Sequence, residues 1–166
     1  MRSEPIQTNT MSLIPPRTSR SPVELGDCRL ARAIDLIGDR WSLLILRSAL
    51  YGVRRFDDFQ DELGCPRTVL SGRLKALEDG GLLQKKPYRE PGKRARSEYV
   101  LSPMGADLLP VLIALTQWSD NWLAAGEPAP ISFTAGPDKR PAHVAFVDAG
   151  GQEVPPEQVR VKLRRG

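Results

Sequence analysis

The chain has 166 residues, 40% of them hydrophobic and 27% charged, with 24 Lys and Arg against 20 Asp and Glu. That length bounds the fold to one domain with room for a small appendage, and a formal charge of +4 is too ordinary to name a partner by itself. No apolar run approaches the roughly 20 residues of a membrane span, no apolar signal core is present, and Cys28 and Cys65 form neither a disulfide framework nor a CxxC metal pair, so a cytoplasmic protein with no cofactor and no bound metal is expected.

Residues 1–22 carry Pro5, Pro15, Pro16 and Pro22 among Ser, Thr and Arg, and are expected to be a disordered leader. A helix is predicted to start near Cys28, where Leu30, Ile34 and Ile37 share one face. Gly38 and Asp39 interrupt it, and a second helix opens at Trp41 as WSLLILRSAL, apolar nearly all round and so predicted to be the buried centre. Gly52 stands where a C-terminal cap is expected. A short helix over 56–63 follows, with Phe56, Phe59 and Leu63 at three-four spacing, then a break at Gly64. The next helix runs over about 66–79, with Pro66 in its first turn, Leu70, Leu74 and Leu77 as its buried stripe, and the Gly80–Gly81 pair as its end. At 100° per residue the opposite face carries Thr68, Ser71, Gly72, Lys75 and Asp79.

Residues 82–88 and 97–101 read as antiparallel strands around a loop containing Pro91 and Gly92. Between Gln84 and Glu98 stand Lys85, Lys86, Arg89, Lys93, Arg94 and Arg96 against two acids. A solvated hairpin explains such a run as well as a nucleic-acid contact does, and the amphipathic helix beside it shifts the balance to the contact. Ser102 and Pro103 then have the chemistry of an N-cap and first helical position. Met104, Leu108, Val111, Leu115, Trp118 and Trp122 follow at alternating four and three spacing, a coiled-coil-like seam, with Pro110 predicted to kink the helix that carries it. After Gly126 the composition changes. Short β-like runs at 131–133, 144–147 and 159–163, with turn chemistry at Gly136–Pro137 and Gly150–Gly151, predict a small β-rich appendage.

The fold class that follows is mostly α with a small β wing (α+β): a winged helix-turn-helix over 23–125 with a C-terminal dimerisation helix over 103–125 and a short β-rich tail over 126–166. In such a fold DNA affinity comes largely from phosphate neutralisation and specificity from base edges. Thr68, Ser71 and Lys75 are assigned to the groove face, with Lys75 suited to guanine O6 or N7. Arg67 and Arg73 flank the stripe as phosphate clamps, Arg55 joins them, and Lys93, Arg94 and Arg96 place the wing on the backbone or in the minor groove. The competing role for each cation is an exposed ion pair with acids such as Asp61, Glu62, Glu78 or Asp79.

The chain resembles the HxlR-type family of bacterial winged helix regulators over about residues 27–123. The residues that carry the resemblance are Cys28, the run A-x-D-L-I-G-D-R-W-S-L-L-I-L-R from Ala33, G-V-R-R-F from Gly52, V-L-S-G-R-L-K-A-L-E-D-G-G-L-L from Val69 and Y-V-L-S-P-M-G from Tyr99. The resemblance implies a homodimeric transcription factor whose terminal helices carry the dimer contact, here Leu108, Val111, Leu115, Trp118 and Trp122. It also implies that the cysteine matching Cys28 senses electrophiles or oxidants in some members. Two departures stand out: Pro66 replaces the family's usual capping Ser, and Gly72 replaces a polar side chain such as Gln. Gly72 either lets the backbone approach the groove floor or removes one base contact, and the second is favoured here. Cys65 replaces an aliphatic residue and reads as core.

Cys28 stands at a predicted helix start beside Arg29 and Arg32, which favours thiolate character, with Asp27 opposing; a small buried apolar residue is the alternative. A regulator controlled by a small ligand in an apolar pocket beside the dimer helix, with Trp41, Trp118 and Trp122 as compatible lining, also stands open, as does a winged helix that contacts only protein. No Ser-His-Asp set, paired carboxylates or phosphate-cradling Gly loop is present and His143 is far in sequence from both cysteines, so enzymatic chemistry is not expected.

Overall fold

The computed structural model describes residues 23–89, 92, 95–124 and 126–162. The leader expected over 1–22, the wing residues Lys93 and Arg94, and Leu163 of the last expected strand lie outside the described residues. The chain divides into two compact units, Cys28–His143 and a second that takes in the described residues 23–27 and 144–162.

The first unit is built from caps outward. Helix α1 is Arg29–Ile37, and the Cys28 sulfur accepts from the Ala31 N–H at its start. Helix α2 is Arg40–Leu50, one residue longer at its N-terminus than its apolar pattern predicts, because Asp39 acts as the cap: its Oδ1 accepts from the N–H groups of Trp41 at 3.0 Å and Ser42 at 3.1 Å. At the other end Gly52 takes φ +96°, a backbone state that favours glycine. Helices α3 (Phe56–Leu63) and α4 (Arg67–Asp79) make the helix-turn-helix, joined through Gly64 at φ +59°. Pro66 is the N-cap of α4 and offers no side-chain hydrogen bond to it.

Strands β1 (Leu83–Tyr88) and β2 (Arg96–Leu101) pair antiparallel from Leu83↔Leu101 to Tyr88↔Arg96. The segment before α3 adds to their edge: the Tyr99 N–H donates to Arg54 O at 2.7 Å and Arg55 bridges Glu98. Ile45 and Leu46 of α2, Phe59 of α3, Leu70, Leu74 and Leu77 of α4, and Leu82 and Leu83 at the start of the hairpin form one buried core with Cys65. Burial pushes the Cys65 thiol up from its ordinary value, and the charge of Asp39 adds to that. Glu62 ties α3 to α2, accepting from the Ser48 hydroxyl at 2.8 Å and pairing with Arg47.

Ser102 caps the next helix as its sequence predicts, accepting from the Gly105 N–H at 3.0 Å, with Pro103 at the first helical position. The single kinked helix expected after it is instead two, α5 (Pro103–Ala106) and α6 (Leu109–Trp122). Pro110 explains the break: it has no N–H for the carbonyl four residues back and its ring would collide with that carbonyl. The chain leaves the helix at Asp107 and Leu108, and Pro110 becomes an early residue of α6, where its missing donor costs nothing.

Two short hairpins follow. In the first unit β3 (Thr134–Ala135) pairs with β4 (Arg140–Pro141); in the second, β5 (Phe146–Val147) pairs with β6 (Glu153–Val154). The apolar runs at 131–133 and at the described 159–162 are not strands. The turns set the pairing. Lys139 N–H closes on Gly136 O, and Asp148 Oδ1 accepts from the Gly150 and Gln152 N–H groups, so ladders form only beside those turns.

Candidate nucleic-acid interface

Helix α4 turns Leu70, Leu74 and Leu77 into the core and leaves Thr68, Ser71, Gly72 and Lys75 exposed on the opposite face. The predicted groove residues therefore share one outward surface. Lys75 is not idle on it: its ammonium donates to both carboxylate oxygens of Asp79, at 2.7 and 3.0 Å. That hydrogen bond, with the Asp79 charge, raises Lys75 above the ordinary lysine value, so it is a fully charged donor that must leave Asp79 to reach a base. Gly72 sits in the middle of the face, and a Cβ built on it meets nothing within 4 Å. Gly72→Ala should raise stability by about 0.5–1 kcal/mol, because the helix interior favours Ala, and should leave DNA affinity unchanged. A urea midpoint that does not rise would contradict the first expectation, and a loss of binding would show that the backbone itself approaches the duplex.

The flanking cations divide into two groups. Arg73 Nε lies 3.3 Å from Asp39 Oδ1, tying α4 to the start of α2. Burial would raise the Asp39 carboxyl; hydrogen bonds from the Ser42 side chain and backbone, the Arg73 guanidinium and the Trp41 N–H outweigh it, and the net direction is down. A carboxyl lowered on folding stabilises above its unfolded value, so this cap is lost only as pH falls below the ordinary carboxylate range. Arg67 and Arg96 form the second group. Arg67 Nη1 lies 3.8 Å from Asp57 Oδ1, and Arg96 Nη1 lies 3.6 Å from Asp57 Oδ2. The Arg67 guanidinium also rests over the Phe56 ring, and that of Arg55 over the Tyr88 ring, each 4.8 Å from the centroid. These side chains line one cleft of about 410 Å³ where the starts of α3, α4 and β2 meet.

The structure thus brings Arg55, Arg67 and Arg96 together, keeps Thr68, Ser71 and Lys75 on the adjoining helix face, and sets Arg73 against α2. Of the acids expected to pair with these cations, Asp79 does so; Asp57 and Asp39 are partners that local sequence spacing does not reveal, because the contacts arise only once α4 packs against α2 and α3. Among the described residues no group of His, Cys, Asp and Glu could hold a metal ion, and no helix is long and apolar enough to cross a membrane.

Away from this face, α6 leaves Val111, Leu115, Trp118 and Trp122 exposed, Trp122 by 75%, and α1 does the same with Leu30 and Ile34. Leu108, counted in the seam, instead packs partly buried on the core. Cys28 is half-buried, with its sulfur 3.5 Å from the Ala31 nitrogen. A separate cleft of about 440 Å³ between α1 and α5 is lined by Leu36, Ile37, Leu82 and Met104 with Arg29 and Arg32; none of the three tryptophans lines it.

The profile of the HxlR-like helix-turn-helix family matches residues 36–127. The HTH-type transcriptional regulator Rv3095 of Mycobacterium tuberculosis, itself uncharacterized, is 44% identical over 104 residues, which span 63% of this chain and 65% of that relative. Among solved structures, PA1607, described as a candidate transcription factor, superposes with a TM-score of 0.71 at 31% identity over 81% of this chain and 94% of its own. The reduced form of the transcriptional regulator YodB from B. subtilis superposes with a TM-score of 0.51 at 25% identity, over 60% of this chain and 98% of its own.

Proposed function

The chain belongs to the HxlR-like helix-turn-helix family, and on that premise we propose that it is a sequence-specific DNA-binding transcriptional regulator acting in the cytoplasm as a homodimer on an inverted-repeat operator. One observation carries the reading: an exposed polar face on α4 adjoins an arginine-lined cleft at the root of the wing. Thr68, Ser71 and Lys75 read base edges, while Arg55, Arg67, Arg73 and Arg96 meet phosphates; Lys93 and Arg94, outside the described residues, are assigned to phosphate contact from the sequence alone. The names of Rv3095 and YodB as transcriptional regulators agree with this assignment.

The dimer is supported by α6, whose exposed apolar seam would otherwise remain in water. A twofold dimer places two recognition helices on half-sites one helical turn apart or a multiple of it. Selection of bound sequences from random duplex DNA at stated salt tests the whole reading. An inverted repeat is the expected result, and recovery of no preferred sequence, or of a single asymmetric half-site, would overturn it.

Thiol modification at Cys28 is the switch we assign to this regulator. Its sulfur is half-buried and caps α1, so alkylation by a quinone, or a mixed disulfide with a low-molecular-weight thiol in which diamide takes up the two electrons and two protons, would remove the cap from a helix that also bears exposed Leu30 and Ile34. Cys65, buried in the core with its thiol pushed up, lacks that reactivity. Cys28→Ser keeps an oxygen at the cap and should bind operator DNA like the wild type, while losing the release that diamide or a quinone causes. Retention of that release by the variant, read in a mobility-shift titration, would remove Cys28 from the mechanism.

A further inference from the structure

Arg67 begins α4, Arg96 begins β2, and the carboxylate between them comes from the first turn of α3. Asp57 reaches the two guanidiniums at 3.8 and 3.6 Å, one with each oxygen. Both separations exceed the 2.7–2.9 Å or so of a charge-assisted hydrogen bond. The carboxylate is thus suspended between two cations that it does not bond tightly. All three side chains are well over half exposed, so the arrangement adds little to folding.

We propose that Asp57 occupies the seat of a DNA backbone phosphate. It holds Arg67 and Arg96 together in the free protein and yields both to a phosphate when the duplex arrives. The inference rests on the DNA-binding reading above and adds to it an acidic residue opposing the phosphate contact. Three lines of chemistry support it. A backbone phosphodiester, like a carboxylate, presents two charged non-bridging oxygens, so it can take over both guanidiniums, one or both through a tight charge-assisted bond. The guanidiniums of Arg67 and Arg55 rest 4.8 Å from the centroids of the Phe56 and Tyr88 rings, contacts that hold both cations at the cleft. The start of α3 also favours an anion of either kind. The role of Asp57 is then to moderate affinity uniformly, since a phosphate carries no sequence information.

The test uses the full-length protein and a random-sequence duplex of about three helical turns, titrated over a salt series. Asp57→Asn should tighten binding by about 3- to 10-fold at low salt, because Arg67 and Arg96 no longer have to leave a competing carboxylate to meet the phosphate. It should steepen the slope of log affinity against log salt by less than the roughly 0.9 of a whole phosphate contact, because salt then no longer loosens a competing Asp57 pair. Asp57→Glu, which keeps the charge, should bind like the wild type. In an Arg67→Gln, Arg96→Gln background the gain from Asp57→Asn should fall below about twofold, because the cations it releases are absent. Circular dichroism of each variant confirms folding. Weaker binding by folded Asp57→Asn would show that the carboxylate preorganises the arginines for DNA, and an unchanged affinity and slope would show that the pair is only a surface ion pair; either overturns the proposal. If the wild-type protein binds no duplex even at low salt, the DNA-binding reading fails first, a result distinct from both.

Discussion

Glutamate at Leu115 and Trp118 together should leave a folded monomer that binds an inverted-repeat operator roughly 100-fold more weakly than the wild type, or worse. The two residues are 49% and 54% exposed on α6, so the charges meet water within one subunit and the core from Ile45 to Leu83 is untouched. In a dimer the same charges would stand against an apolar partner and against their own copies, and burying unpaired carboxylates there is costly. DNA affinity falls because the second half-site is then bound by a separate molecule rather than by one already held nearby. Sedimentation equilibrium reads the assembly, mobility shift the affinity, and circular dichroism the fold. A variant that still sediments as a dimer would take α6 out of the interface.

Much of the path to that surface was legible in the sequence because its signals are local. Ser102 followed by Pro103 specifies a helix start whatever lies nearby, and both residues do that in the structure. Gly52 and Gly81 adopt positive φ where the apolar patterns of α2 and α4 end. The stripe Leu70, Leu74, Leu77 is wholly buried, which fixes the outward face of α4.

What was not legible depends on relations between elements. The four-three seam assumes one continuous helix; Pro110 ends that continuity, and Leu108 turns to the core while Val111, Leu115, Trp118 and Trp122 keep their shared face on α6. In the tail, the run 144–147 does contain β5, whereas the runs at 131–133 and 159–163 marked positions away from the observed ladders (the described 159–162 are not strand), because a two-residue ladder is held by its turn and not by its side chains. Asp57 is the largest omission. Nothing in its spacing from Arg67 or Arg96 shows that all three converge, and convergence needs the α3–α4 turn and the hairpin register to be in place.

Gly105→Ala should destabilise the protein by about 3 kcal/mol, the opposite sign to the same substitution at Gly72. Helix propensity alone favours Ala at both positions by up to about 1 kcal/mol. At Gly105, however, the added Cβ would lie 2.2 Å from the Leu82 carbonyl oxygen and 3.0 Å from Leu101 Cδ2. That carbonyl cannot retreat freely. It accepts from the Ser102 N–H at 3.0 Å, while the Ser102 hydroxyl donates to Gly81 O at 2.6 Å and accepts from the Gly105 N–H. Relieving the collision means lifting α5 off the start of β1 and breaking this buried set of bonds, so overpacking at roughly 1–3 kcal/mol is joined by the loss of a helix cap, typically about 1. Because α5 leads directly into α6, the displacement should also misdirect the exposed seam and weaken dimerisation. A urea titration of both glycine variants decides the matter: midpoints that shift in the same direction would mean that α5 does not press on the hairpin as the Gly105 geometry requires.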